Sequence, residues 1–124
     1  PYREFERKVF EHRESLVELI KKINHQGKTI HAYGASTKGN VLLQFCDFTR
    51  DDISYAAEIN SDKFDRVTPG SNIPIISADE SREMKPDYYL VLPWHFREGI
   101  VAKEQDFLAS GGNLIFPLPE IEVI

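Results

Sequence analysis

Cysteine, methionine and tryptophan each occur once in these 124 residues. The lone Cys46 excludes an internal disulfide and leaves no cysteine pair for a zinc site; it fits a reducing cytosol. No apolar run approaches the roughly 18 residues of a membrane span. The opening residues, Pro1-Tyr-Arg-Glu-Phe-Glu-Arg-Lys8, lack the apolar core of a signal peptide. Basic blocks are missing too. With 15 Lys and Arg against 20 Asp and Glu, the net charge is −5, so nucleic acid is not an expected partner. G-x-S-x-G is absent, and with it that route to a nucleophilic serine. His12, His25 and His31 have no metal-ligand spacing with one another or with Cys46, so all three are expected to be structural and no metal is expected. The chain begins at Pro1 rather than Met, as expected of a piece of a longer polypeptide.

What is present is an ordinary folding unit. Hydrophobic residues make up 41% and charged residues 28%, as in soluble globular proteins, and the length suits one domain, residues 1–124. Phe5, Val9, Phe10, Leu16, Leu19, Ile20 and Ile23 recur at helical steps, which predicts a helix from Glu4 to Asn24. A strand over Lys28–Tyr33 follows, then a helix over Thr37–Asp47 with Val41, Leu42 and Phe45 on one apolar side. Ser54–Ile59 reads as a second strand. Ile73–Ile76 reads as a short one, beginning late or lying at an edge because of Pro74. A short helix starts at Ser77 or Ser81 and stops at Lys85-Pro86. Tyr88–Leu92 is a continuous apolar run, the mark of a strand buried on both faces. A single helix is predicted over Phe96–Ser110, and a last strand over Asn113–Phe116. Alternating strands and helices imply an α/β fold: a three-layer Rossmann-like, open, mostly parallel sheet with helices on both faces. Ligands of such sheets sit beyond the carboxyl ends of the strands.

Four segments fall at those ends. Gly34-Ala-Ser-Thr-Lys-Gly39 joins the first strand to a helix, where backbone N–H groups and the helix dipole favour an anion. It is neither a complete G-x-G-x-x-G fingerprint nor a Walker A loop. It also reads as a plain turn with Ser36 or Thr37 as helix cap. Glu58 ends the second strand, about 20 residues beyond the turn, where dinucleotide folds place a carboxylate for ribose hydroxyls. Asn60 and Lys63 follow it. The loop Arg66–Pro74 is rich in donors, and its Pro69-Gly70 makes a turn. Leu92-Pro-Trp-His-Phe96 follows the most apolar strand. There Trp94 offers a stacking surface and His95 a proton donor, or else Trp94 caps the core and His95 is an N-cap-like surface residue.

These segments together resemble a known family. Tyr33-Gly-Ala-Ser-Thr-Lys-Gly-Asn40, Glu58-Ile-Asn60, Val67-Thr-Pro-Gly70 with Ile73-Pro-Ile75, Pro86-Asp-Tyr-Tyr89, Leu92-Pro-Trp94 and Phe116-Pro-Leu-Pro119 resemble the C-terminal domain of sugar C-methyltransferases. The resemblance runs from about Glu4 to Ile124. It implies an enzyme with a zinc-binding N-terminal domain, a middle domain that binds S-adenosylmethionine and carries the catalytic base, and a C-terminal domain that closes over a nucleotide-linked deoxysugar. Only that last part matches this chain. The resemblance therefore implies a nucleotide-diphosphate sugar and the methyl-donor domain as partners, no catalytic residue here, and no methyl transfer by these residues alone. It implies Gly34, Ser36, Lys38 and Gly39 on the diphosphate side, Glu58, Asn60 and Lys63 near the nucleotide, and Thr68, Gly70, Trp94 and His95 along the interdomain cleft. A non-catalytic nucleotide- or coenzyme-binding or interaction module is the other reading.

Overall fold

The computed structural model describes residues 2–124. Leu16, Ile20 and Ile23, spaced at helical steps, are buried and seat the long first helix, α1 (Tyr2–His25), against the sheet. The elements then run β1 (Ile30–Tyr33), α2 (Thr37–Phe45), β2 (Tyr55–Glu58), β3 (Ile75–Ser77), α3 (Ala78–Glu83), β4 (Tyr88–Val91), α4 (Arg97–Lys103), α5 (Gln105–Ala109), β5 (Asn113–Phe116) and β6 (Glu122–Val123). Single 3-10 turns at Ser61–Lys63 and Trp94–Phe96 precede β3 and α4.

The strands form one sheet in the order β3-β2-β1-β4-β5-β6. The first five are parallel, and β6 is antiparallel to β5. This is the α/β Rossmann-like arrangement expected, with its reversal of strand order between β1 and β4. Alternation along β4 feeds two cores. Leu90 joins Ala32, Ile20 and Leu43 on the α1 and α2 side, whereas Tyr89 and Val91 join Ile100, Phe107 and Leu114 on the other. β4 is thus buried on both faces, and β3 lies at an edge as Pro74 indicated. Ser77 caps α3, accepting from the N–H of Glu80 at 3.1 Å.

Three expectations need correction. The single helix over Phe96–Ser110 is two helices, because the backbone at Glu104 leaves helical geometry (φ −100, ψ 22) where its side chain is buried. Val41 and Phe45 are not on the inner face of α2. Leu42 and Leu43 take it, while Val41 is 61% exposed. Phe5 and Phe10 of α1 are likewise exposed, at 65% and 56%. The antiparallel edge strand β6 has too short an apolar pattern to be read from sequence.

His31 is structural, as expected. Its Nδ1 lies 2.6 Å from the Ser81 hydroxyl, and that hydroxyl is 2.6 Å from the Tyr89 hydroxyl. Burial lowers its pKa from 6.5 to about 4. Between those values the unfolded chain binds the extra proton, so stability is complete above pH 6.5 and is lost as pH falls towards 4. The loss expected from this group is about 3 kcal/mol. Urea titrations of the wild type and His31→Gln at pH 7 and pH 4 check this: the variant should show the smaller acid loss. Gly39 is also a packing residue. A Cβ there would lie 2.5 Å from Leu92 Cβ. Gly39→Ala, which helix propensity alone would favour by about 1 kcal/mol, should instead destabilise by about 1–3 kcal/mol, read as a lower urea midpoint.

Candidate functional site

The point where strand order reverses is open. A cleft of about 440 Å³ lies beyond the carboxyl ends of β1, β2 and β4, lined by Tyr33, Gly34, Glu58, Pro93, Arg82 and Lys103, among others. The turn after β1 forms one edge. Gly34 has a left-handed backbone (φ 87) beside Pro93, and its N–H donates to the Ala57 carbonyl at 2.8 Å. That ties the turn to β2.

Ser36 caps α2, its hydroxyl accepting from the Gly39 N–H at 3.1 Å. This is the plain role offered from sequence. It leaves the N–H groups of Thr37 and Lys38, at the positive end of α2, without an acceptor among the described residues. The Lys38 side chain is exposed at the same end. The side-chain oxygen of Asn40, one residue past Gly39, is buried without a hydrogen-bond partner among the described residues.

Glu58 and Lys63 bind each other and the turn. Lys63 Nζ lies 3.2 Å from a Glu58 carboxylate oxygen and donates to the Ala35 carbonyl at 3.1 Å. The other Glu58 oxygen accepts from the Ile59 N–H at 2.8 Å. Asn60 is exposed and caps the next 3-10 turn through its Oδ1. Gly34, Ser36, Lys38, Gly39, Glu58, Asn60 and Lys63 therefore cluster at the ends of β1 and β2.

Trp94 and His95 fall elsewhere. They line a wider hollow of about 1230 Å³ between the 3-10 turn at Trp94–Phe96, the start of α4 and the segment Leu118–Glu122. Trp94 is half-buried against both cores, and His95 is exposed. Arg97 and Glu122 pair across this hollow through two bonds of 2.7 and 2.9 Å. Thr68 is a correction, whereas Gly70 stays exposed and lies apart from both hollows. Thr68 is fully buried, its hydroxyl 2.5 Å from that of Ser71 and accepting from the Ile73 N–H at 3.0 Å. Beside Gly70, Pro69 accepts from Gln44 at 2.8 Å. Gln44 lies about 10 Å along α2 from its first turn. The loop's hydroxyls fold the loop, and it sits at the far end of α2 from the cleft.

Sequence reading overlooked the most buried charge. The Glu104 side chain is 1% exposed; it pairs with Arg82 and accepts from the Tyr33 hydroxyl at 2.7 Å. The Arg82 guanidinium lies over the rings of Tyr89 and Phe107, at 5.6 and 5.5 Å. Burial, reinforced by Glu104, pushes the Tyr33 phenol well above its usual range, so Tyr33 stays protonated. A signal was available: Glu104 is four residues after Ile100 and three before Phe107, on the apolar stripe of the helix predicted over Phe96–Ser110.

A family model described as the C-methyltransferase C-terminal domain matches residues 1–119. The chain belongs to that family. The C-methyltransferase NovU of Streptomyces niveus is 38% identical over 123 residues, which is 99% of this chain and 29% of the relative. This C-methyltransferase C-terminal domain thus spans under a third of that relative's length.

Arg82 supports the cleft wall by neutralising a carboxylate that water does not reach. Arg82→Met should cost about 3 kcal/mol, as expected when a buried carboxylate loses its cation. Glu104→Gln/Arg82→Met, with no charge left buried, should recover much of it. Thermal and urea unfolding of the wild type and the two variants measure this.

Proposed function

We propose that this domain is the substrate-side part of an S-adenosylmethionine-dependent C-methyltransferase, and that it binds a nucleotide-linked keto-deoxysugar. The family membership carries this reading, and the cluster at the ends of β1 and β2 supports it. The Thr37 and Lys38 N–H groups and the Lys38 ammonium would hold the diphosphate. The Glu58 carboxylate, kept in place by Lys63, would accept from sugar or ribose hydroxyls. Trp94 and His95 would wall the neighbouring hollow, where the rest of the enzyme closes. The methyl acceptor is then a carbon beside a keto group, which becomes nucleophilic once a base removes its proton. That base belongs to another domain. This chain binds and orients.

The charge of this cluster suits a diphosphate better than S-adenosylmethionine. Its sulfonium is a cation, and the turn presents Lys38, Lys63 and the positive end of α2. The methyl donor belongs to a domain beyond these residues, in a cytosolic enzyme.

A titration of the labelled domain with a thymidine diphosphate sugar, thymidine diphosphate and S-adenosylmethionine tests the assignment. NMR shifts are expected at Gly34–Asn40 and Glu58–Lys63 with the first two alone. Lys38→Ala should weaken binding about tenfold, the value of one charge-assisted contact. No methyl transfer is expected from the 124 residues alone. Shifts at the same turn with S-adenosylmethionine would reassign the domain. Binding of any nucleotide with no preference for a sugar would favour a coenzyme-binding module.

A further inference from the structure

Helix α1 is too long for the sheet it covers. Its 24 residues extend about 36 Å, whereas the four-residue strands extend about 13 Å. Its apolar stripe nevertheless does not stop at the core. Ile23, Ile20 and Leu16 are buried, and the same stripe continues through Val9 to Phe5. Every residue from Arg3 to Lys8 is exposed. Beside the stripe, Phe10 meets Phe45 with ring centroids 6.2 Å apart, which joins α1 to the outer face of α2 and its exposed Val41. Ion pairs flank this apolar ledge: Arg7 with Glu4 and Glu11, and Arg13 with Asp47 at 3.0 Å. An apolar centre with a polar rim is the anatomy of a protein interface.

We infer that Phe5, Val9, Phe10, Val41 and Phe45 form the docking surface for the polypeptide that precedes this domain in the enzyme. The family is a C-terminal domain, and 71% of the matched relative lies outside the match, so a large occupant exists in that enzyme. Since the family is a C-terminal domain, the polypeptide before it enters on the side of α1, the helix carrying the uncovered stripe. Tethering raises its effective concentration to the millimolar range. A modest apolar ledge then suffices where a free partner would need a larger one. The inference rests on reading this chain as one part of a methyltransferase, not on which ligand it binds.

Hydrogen exchange of the full-length enzyme and of the 124-residue chain, both without ligand, tests this. Amides of residues 3–12 should exchange at least tenfold more slowly in the full-length enzyme. Phe5→Ser/Val9→Ser in the full-length enzyme should abolish that protection and leave the exchange of Tyr88–Val91 unchanged. Equal exchange in the two proteins, or protection that survives the substitutions, would overturn the proposal. So would protection in the 124-residue chain that grows with concentration as sedimentation shows the mass doubling, since the occupant would then be a second copy. Because no ligand is present, a failed ligand titration leaves this outcome intact.

Discussion

The buried carboxylate of Glu104 is the constraint to which the second face of the sheet is fitted. Removing a carboxylate from water costs several kcal/mol unless charge and hydrogen bonds replace the water. Arg82 from α3 and the Tyr33 hydroxyl from the end of β1 do so. Three elements far apart in sequence are thereby fixed around one charge. The continuous helix expected over Phe96–Ser110 gives way to α4 and α5 at that residue. Arg82, held over Tyr89 and Phe107, then forms a wall of the cleft at the strand-order reversal.

The turn that borders this cleft at Gly34 follows different physics. At the turn after β1, the side chains mostly serve the fold, and the backbone is what remains for a ligand. Gly34 fastens the turn to β2, Ser36 caps the helix, and Gly39 lets α2 approach Leu92. What these contacts leave exposed is the positive end of α2 and the Lys38 ammonium. Glu58 and Lys63 extend this edge through contacts with each other and with Ala35. A site of this kind is preorganised by packing, so its geometry does not depend on long flexible side chains settling on the ligand.

Much of this was legible in the chain. The periodicity of α1, the apolar run of β4 and the turn residues after β1 each point to one local structure, and their alternation to one sheet. The turn and Glu58 fell together because parallel strands place their carboxyl ends on one side. The loop at Thr68 and Gly70 did not join them, since the polar residues there close the loop on itself through Ser71 and Ile73. Val41 and Phe45 misled for a related reason. An apolar residue on a helix reads as core, but which arc meets the sheet depends on the docking of α2, and Leu42 and Leu43 took that place.

By itself the sequence determined the elements as far as β5, apart from the break at Glu104, together with their order, the parallel Rossmann-like topology and the family, because each rests on periodicity or on motifs read along the chain. Only the tertiary structure decided which charge is buried, why residue 39 is glycine, and how the candidate residues divide between the cleft, the hollow and the far end of α2. Those outcomes depend on pairs such as Tyr33 with Glu104 and Gly39 with Leu92, which lie many residues apart. Local pattern carries no record of such pairs. Packing alone brings them together.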